Sequence, residues 1–191
     1  VPTITSLTAS PQQVNPGGTI TIEANASDPL GDELSYNWNV PNGWTKQGAG
    51  ATIEVTAPDA YGKSGDVQLV VDDGHGKQAT SSVGITTGSN ESPILSSLNA
   101  NPSSVGPNGT VTVRARASDP NGDMVSYNWD VPSGWTQTAD RGSELELTAP
   151  GQYGETGTVG VTVTDGYGGE TSDSVDIKTS RNQAPVVRSL T

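Results

Sequence analysis

The chain repeats itself at an interval of about ninety residues, and this restricts its possible folds more than any other feature. Ala26-Ser27-Asp28-Pro29-Leu30-Gly31-Asp32 returns 91 residues later as Ala117-Ser118-Asp119-Pro120-Asn121-Gly122-Asp123. Ser35-Tyr36-Asn37-Trp38 returns as Ser126-Tyr127-Asn128-Trp129, and Gly43-Trp44-Thr45 as Gly134-Trp135-Thr136. Thr56-Ala57-Pro58 returns as Thr148-Ala149-Pro150, now at 92, so one residue is inserted between these motifs. A repeat of this length is one small domain used twice. Ser92-Pro93-Ile94-Leu95 is echoed once more by Ala184-Pro185-Val186-Val187. The expected organisation is therefore 1–89, 90–181, and 182–191 as the start of a third repeat in a longer array.

The period inside each repeat is two. Val111, Val113 and Ala115 alternate with Thr112, Arg114 and Arg116; Val159, Val161 and Val163 alternate with Gly160 and Thr162. Ile20, Ile22 and Ala24, then Val67, Leu69 and Val71, do the same in the first repeat. Such runs bury one face and wet the other, as strands of an antiparallel sandwich do. No segment carries a sustained helical period. The expected fold is all-β: two tandem immunoglobulin-like Greek-key sandwiches of about seven strands each. Trp38 and Trp129 share parity with the apolar positions of their strands and are expected in the cores.

Composition narrows the functional classes. A net charge of −12 repels phosphate backbones and anionic lipid, so neither nucleic acid nor a membrane surface is an expected partner. There is no Cys and a single His, which leaves no Cys/His zinc set and no His-based triad to recur in both repeats. That His, His75, stands in an Asp-Gly-His-Gly turn and is expected to be solvated. No enzymatic activity is expected.

Asp-Pro-Xaa-Gly-Asp, then Ser-Tyr-Asn-Trp, then Thr-Ala-Pro, then a Val-rich strand ending at Asp-Gly, together resemble the PKD repeat and the wider set of cadherin-like bacterial repeats. The resemblance covers both repeats nearly end to end. It departs after the strand Trp: a PKD repeat has Asp-Phe-Gly-Asp-Gly there, whereas this chain reads Asn39-Val40-Pro41-Asn42-Gly43 and contains no Phe.

The acidic loops are the strongest chemical signal. Calcium takes about six to eight oxygen ligands from carboxylates, carbonyls and water. Asp119, Asn121 and Asp123 offer three such side chains on one tight turn. The resemblance adds Asp165, from the turn after the Val-rich strand, and Asn90, from the linker. In the first repeat Asp28, Asp32 and Asp73 remain, but Leu30 stands where Asn121 supplies an oxygen. Calcium is expected as a cofactor, in the second repeat more than the first. An ordinary Asx turn is the alternative reading of each loop.

Trp44 and Trp135 follow Pro-Asn-Gly and Pro-Ser-Gly turns. Packing over the sandwich edge is the favoured reading. If exposed, the two rings are candidate stacking surfaces for a sugar or a collagen-like peptide.

The expected function is a non-catalytic, calcium-stiffened spacer in a secreted or cell-surface protein, which the resemblance makes bacterial: an adhesin or a multidomain hydrolase. Its expected partners are neighbouring repeats of the same chain, and the fragment is expected to be monomeric. The alternatives are an accessory module for an insoluble polysaccharide or collagen-like polymer, and homophilic adhesion.

Overall fold

Strand-forming alternation and Gly-rich turns produce what they predict. The computed structural model describes residues 1–183 of the chain, and no helix occurs among them. The expected start of a third repeat, carried by Ala184–Leu190, lies outside the described residues. The chain forms two compact units, one spanning Val1–Asn90 and one that begins at Glu91.

The first unit contains β1 (Thr3–Ser10), β2 (Gln13–Val14), β3 (Thr19–Ser27), β4 (Ser35–Asn39), β5 (Thr45–Gln47), β6 (Thr52–Thr56), β7 (Ser64–Asp72) and β8 (Gln78–Thr87). The second contains β9 (Ile94–Asn101), β10 (Ser104–Val105), β11 (Thr110–Ser118), β12 (Ser126–Asp130), β13 (Thr136–Asp140), β14 (Glu144–Thr148), β15 (Thr156–Thr164) and β16 (Glu170–Thr179). Each unit is a pair of four-stranded sheets. In the first they run β1-β3-β6-β5 and β2-β8-β7-β4; in the second, β9-β11-β14-β13 and β10-β16-β15-β12. Chain neighbours that lie in different sheets mark this as the immunoglobulin-like Greek key.

Eight strands stand where about seven were expected. The extra one comes from splitting the first strand. Pro11 and Pro102 follow β1 and β9 directly, and proline has no N–H for the ladder. The chain then moves to the other sheet as β2 or β10, which pair in parallel with β8 and β16.

The buried parity is the one the sequence shows. Ile20, Ile22, Ile53, Val55, Val67, Leu69, Val71 and Ile85 fill the first core; Val111, Val113, Leu145, Leu147, Val159, Val161, Val163 and Ile177 fill the second. Trp38 is buried in its core, and its Nε1 donates to the Gly50 carbonyl at 2.9 Å. Trp129 makes the matching bond to the Gly142 carbonyl at 2.8 Å but is only half-buried. It lies against both apolar clusters of the second unit.

Of the two readings of the turn tryptophans, the structure shows the packed one and not the exposed alternative. Trp44 and Trp135 are 5% and 6% exposed. Their amides donate to the Pro41 and Pro132 carbonyls across the preceding turn, at 3.1 and 3.2 Å, which folds each ring inward over the sandwich end. Neither ring offers the face on which a sugar or peptide would stack.

Candidate metal centre

Each acidic loop is built by its first Asp. Asp28 Oδ1 accepts the Leu30 N–H at 2.7 Å, and the Asp28 carbonyl accepts the Gly31 N–H at 3.1 Å. Asp119 repeats this: its Oδ1 takes the N–H of Asn121 at 2.8 Å and of Asp123 at 3.3 Å, and its carbonyl takes that of Gly122 at 3.1 Å. A short carboxylate that caps its own turn is the ordinary chemistry of Asp-Pro-Xaa-Gly.

The turns after β7 and β15 are built the same way. Asp73 Oδ1 accepts from the His75 N–H at 2.9 Å and the Lys77 N–H at 3.0 Å. Asp165 Oδ1 accepts from Tyr167 at 2.7 Å and Gly169 at 3.0 Å. Asp73 and Asp165 are both buried. Gly169 is required here, because a Cβ at that position would overlap Asp165 Oδ2 and crowd the Ser92 backbone.

In all four residues Oδ1 holds the turn. Asp119 Oδ2 is buried with no hydrogen-bond partner. In the first unit Asp28 Oδ2 is likewise buried with no hydrogen-bond partner. The Asp28 side chain has no exposed surface, and that of Asp73 has 3%.

Asp28, Asp32 and Asp73 each bring a carboxylate oxygen within 4.8 Å of the others. That separation is about twice a calcium–oxygen distance of ~2.4 Å, so one ion could touch all three. Among the described residues no other group of three Asp, Glu, His or Cys side chains converges in this way. Loop spacing therefore favours the second repeat, while carboxylate convergence occurs in the first. Asn121 Oδ1 accepts the Glu91 N–H at 2.7 Å and so ties the start of the second unit to its own loop. Asp123 and Asp165 belong to that same end. Asn90 is the last residue of the first unit.

Sequence reasoning missed one neighbour of the triad, His75. His75 did stand two residues after Asp73, and that spacing was its only signal. Its side chain is 73% exposed; Nδ1 donates to the Asp73 carbonyl at 2.9 Å and lies 3.7 Å from Asp32 Oδ2.

The triad's electrostatics give a pH dependence. The Leu30 N–H bond holds the Asp28 carboxyl below its ordinary value. Burial pushes Asp73 up, the Lys77 and His75 N–H bonds pull it down, and its net shift is also downward. Carboxyls that are more acidic when folded stabilise the fold above their unfolded pKa, near 3.9, and lose that contribution as pH falls through the lower folded value. The melting temperature of the first unit is thus expected to fall as pH drops below about 4. Asp28→Asn with Asp73→Asn should flatten that slope in a pH series of thermal melts. An unchanged slope would contradict the assignment.

A family model described as Bacterial Ig domain matches residues 1–86 and again residues 90–178. Chitinase A of Pseudoalteromonas piscicida is 32% identical over 129 residues, which is 65% of this chain and 16% of that protein. The chain thus spans a small part of that relative's length. The crystal structure of titin domains Z1Z2 in complex with telethonin superposes with a TM-score of 0.56 at 19% identity, covering 95% of this chain and 98% of that one. At such identity the likeness concerns the fold alone.

Proposed function

This chain belongs to the bacterial Ig domain family, and on that premise we propose that it is a non-catalytic spacer in a secreted or surface-exposed bacterial protein, with a calcium ion bracing the loop end of the first unit. The observation that carries the calcium part is the triad: three carboxylate oxygens within 4.8 Å, two of them on buried side chains, with Asp28 Oδ2 buried and without a hydrogen-bond partner. Hard oxygen donors of this kind suit calcium. The PKD-like and cadherin-like motifs of both loops support the same reading.

The spacer part rests on architecture. Each unit devotes its interior to apolar packing, and its Asp-Pro-Xaa-Gly-Asp loop lies between strands. The match to a chitinase over a small share of its length supports a place beside a larger secreted domain, where repeats set distance rather than perform chemistry.

Calcium that binds only the folded state raises stability by about 2.7 kcal/mol at a hundredfold excess over Kd. For a domain of this size that is a rise in Tm on the order of 10 °C. The rise is expected for the first unit, is reversed by chelator, and is absent in Asp28→Asn. Identical melts with calcium and with chelator would remove the calcium part and leave the spacer part standing.

A further inference from the structure

Arginine is absent from the first repeat. In the second, Arg114, Arg116 and Arg141 gather on the β9-β11-β14-β13 sheet and its edge turn. The sandwich itself does not require them. The first-repeat residues that match Arg114 and Arg116 are Glu23 and Asn25, at the same exposed positions of β3. Two neighbouring positions have thus become cationic in a protein whose net charge is −12.

That charge is only partly answered inside the molecule. Arg114 Nε donates to Glu144 Oε2 at 2.7 Å, and Arg141 Nη1 to Glu144 Oε1 at 3.1 Å. One carboxylate therefore serves two guanidinium groups. Glu146, the next acid along β14, takes the Thr138 hydroxyl. Arg116 has no acidic partner among the described residues.

The two arginines border a groove of about 250 Å³, lined further by Ser97, Asn99, Asn101 and Thr112. The ladder sets its rows: Arg116 opposite Ser97, Arg114 opposite Asn99, Thr112 opposite Asn101. Arg114 and Arg116 lie two residues apart on one strand, so their stems leave the sheet about 6.8 Å apart on the same side.

We propose that this groove binds an acidic saccharide, a sugar polymer carrying carboxylates. A guanidinium presents a planar fork of donors that matches a carboxylate, and Arg116 and the terminal nitrogens of Arg114 have such donors to offer. Asn, Ser and Thr supply both donors and acceptors, which suits ring hydroxyls. The lining holds no aromatic ring, so a neutral sugar has nothing to stack on and the charge carries recognition. The acidic remainder of the surface does not forbid this. Exposed charges farther than about 8 Å are screened at physiological salt, so a bound carboxylate responds mainly to its nearest partners.

The inference is independent of the calcium reading, and its experiment keeps the two apart. Native affinity electrophoresis of the full chain is run in chelator, so that no cation bridges polymer to acidic loop. Alginate is the polyuronate probe, with dextran as neutral control and heparin and polyglutamate as sulfated and peptidic controls. Alginate is expected to retard the protein, dextran is not, and raising salt to about 0.5 M abolishes the effect as screening shortens. Arg116→Asn with Arg114→Gln should weaken alginate binding at least about tenfold, since charge-assisted hydrogen bonds are lost. Both positions are exposed, so an unchanged Tm verifies the fold. No retardation of the wild type by alginate overturns the proposal, as does full retention by the double variant. Stronger retardation by heparin overturns the carboxylate assignment, and equal retardation by polyglutamate overturns the saccharide assignment.

Discussion

Trp44→Ala is expected to destabilise the first unit by about 3–5 kcal/mol, and Trp135→Ala the second by a similar amount. Each ring is almost wholly buried and belongs to its unit's main apolar cluster. Truncation removes the transfer energy of an indole and leaves a cavity that rigid strands fill poorly. A unit of about ninety residues has a total stability on the order of 5–13 kcal/mol, so the loss is a large share of it. Guanidinium denaturation followed by near-ultraviolet circular dichroism would measure it. A loss below about 1 kcal/mol would mean that the ring is exposed in solution and would reopen the stacking role. Trp135→Phe provides a finer comparison. Trp135 Nε1 is buried without a hydrogen-bond partner, so phenylalanine removes an unanswered donor while keeping much of the ring. It should cost clearly less than alanine.

Gly65→Ala and Gly157→Ala are the second pair with large effects, about 1–3 kcal/mol each or more. They match each other in the two repeats, near the start of β7 and β15. A Cβ on Gly65 would lie 2.5 Å from both Cβ and Cγ of Pro41. On Gly157 it would lie 2.7 Å from Pro132 Cγ and 2.9 Å from Trp135 Nε1. A proline ring cannot rotate away, and the buried indole beside Gly157 is held by its own packing, so backbone must shift. Gly106→Ala is the control: a Cβ there meets nothing within 4 Å, and its stability should stay within about 0.5 kcal/mol of the parent. Equal melts for all three variants would show that the close approach is absent in solution.

The fold was legible because its signals are local and doubled. Alternation in Val111–Val113–Ala115 and Val67–Leu69–Val71 fixes which face is buried, and the repeat shows it twice. The proline after β1 was readable as a break, but not as a passage to the opposite sheet, which depends on what β8 offers as a partner. The two turn tryptophans were ambiguous for a related reason. Their parity says nothing once a Gly turn reverses the chain, and only the three-dimensional turn sends the rings inward.

The candidate site was half legible. Asp28 and Asp32 announce themselves on one loop. Asp73 joins them only because β4 and β7 are paired, which sets Ser35 opposite Asp72 at the ends of the two strands. Side-chain oxygen counts favoured the second repeat, because such counts ignore backbone donors. Glu91 takes up Asn121 Oδ1, a contact that no spacing pattern reveals. Arg116 was legible only as a residue on a wet face. Its interest appears when one asks which acid answers each base.

The passage of the chain from one sheet to the other also has a mechanical meaning. β2 follows closely on the unit's first strand and β8 is its last, and they run in parallel, with Gln13 beside Thr86 and Val14 beside Thr87. Their bonds run from the Thr86 N–H to the Gln12 carbonyl at 3.0 Å and from the Gly88 N–H to the Val14 carbonyl at 3.0 Å. Tension applied at the two ends of the unit draws these strands past each other along their length. The bonds are then loaded together in shear and give way together, where an antiparallel hairpin would open one bond at a time. β10 and β16 place the second unit under the same rule. A tether that is pulled in use gains from this arrangement whatever it carries at its end.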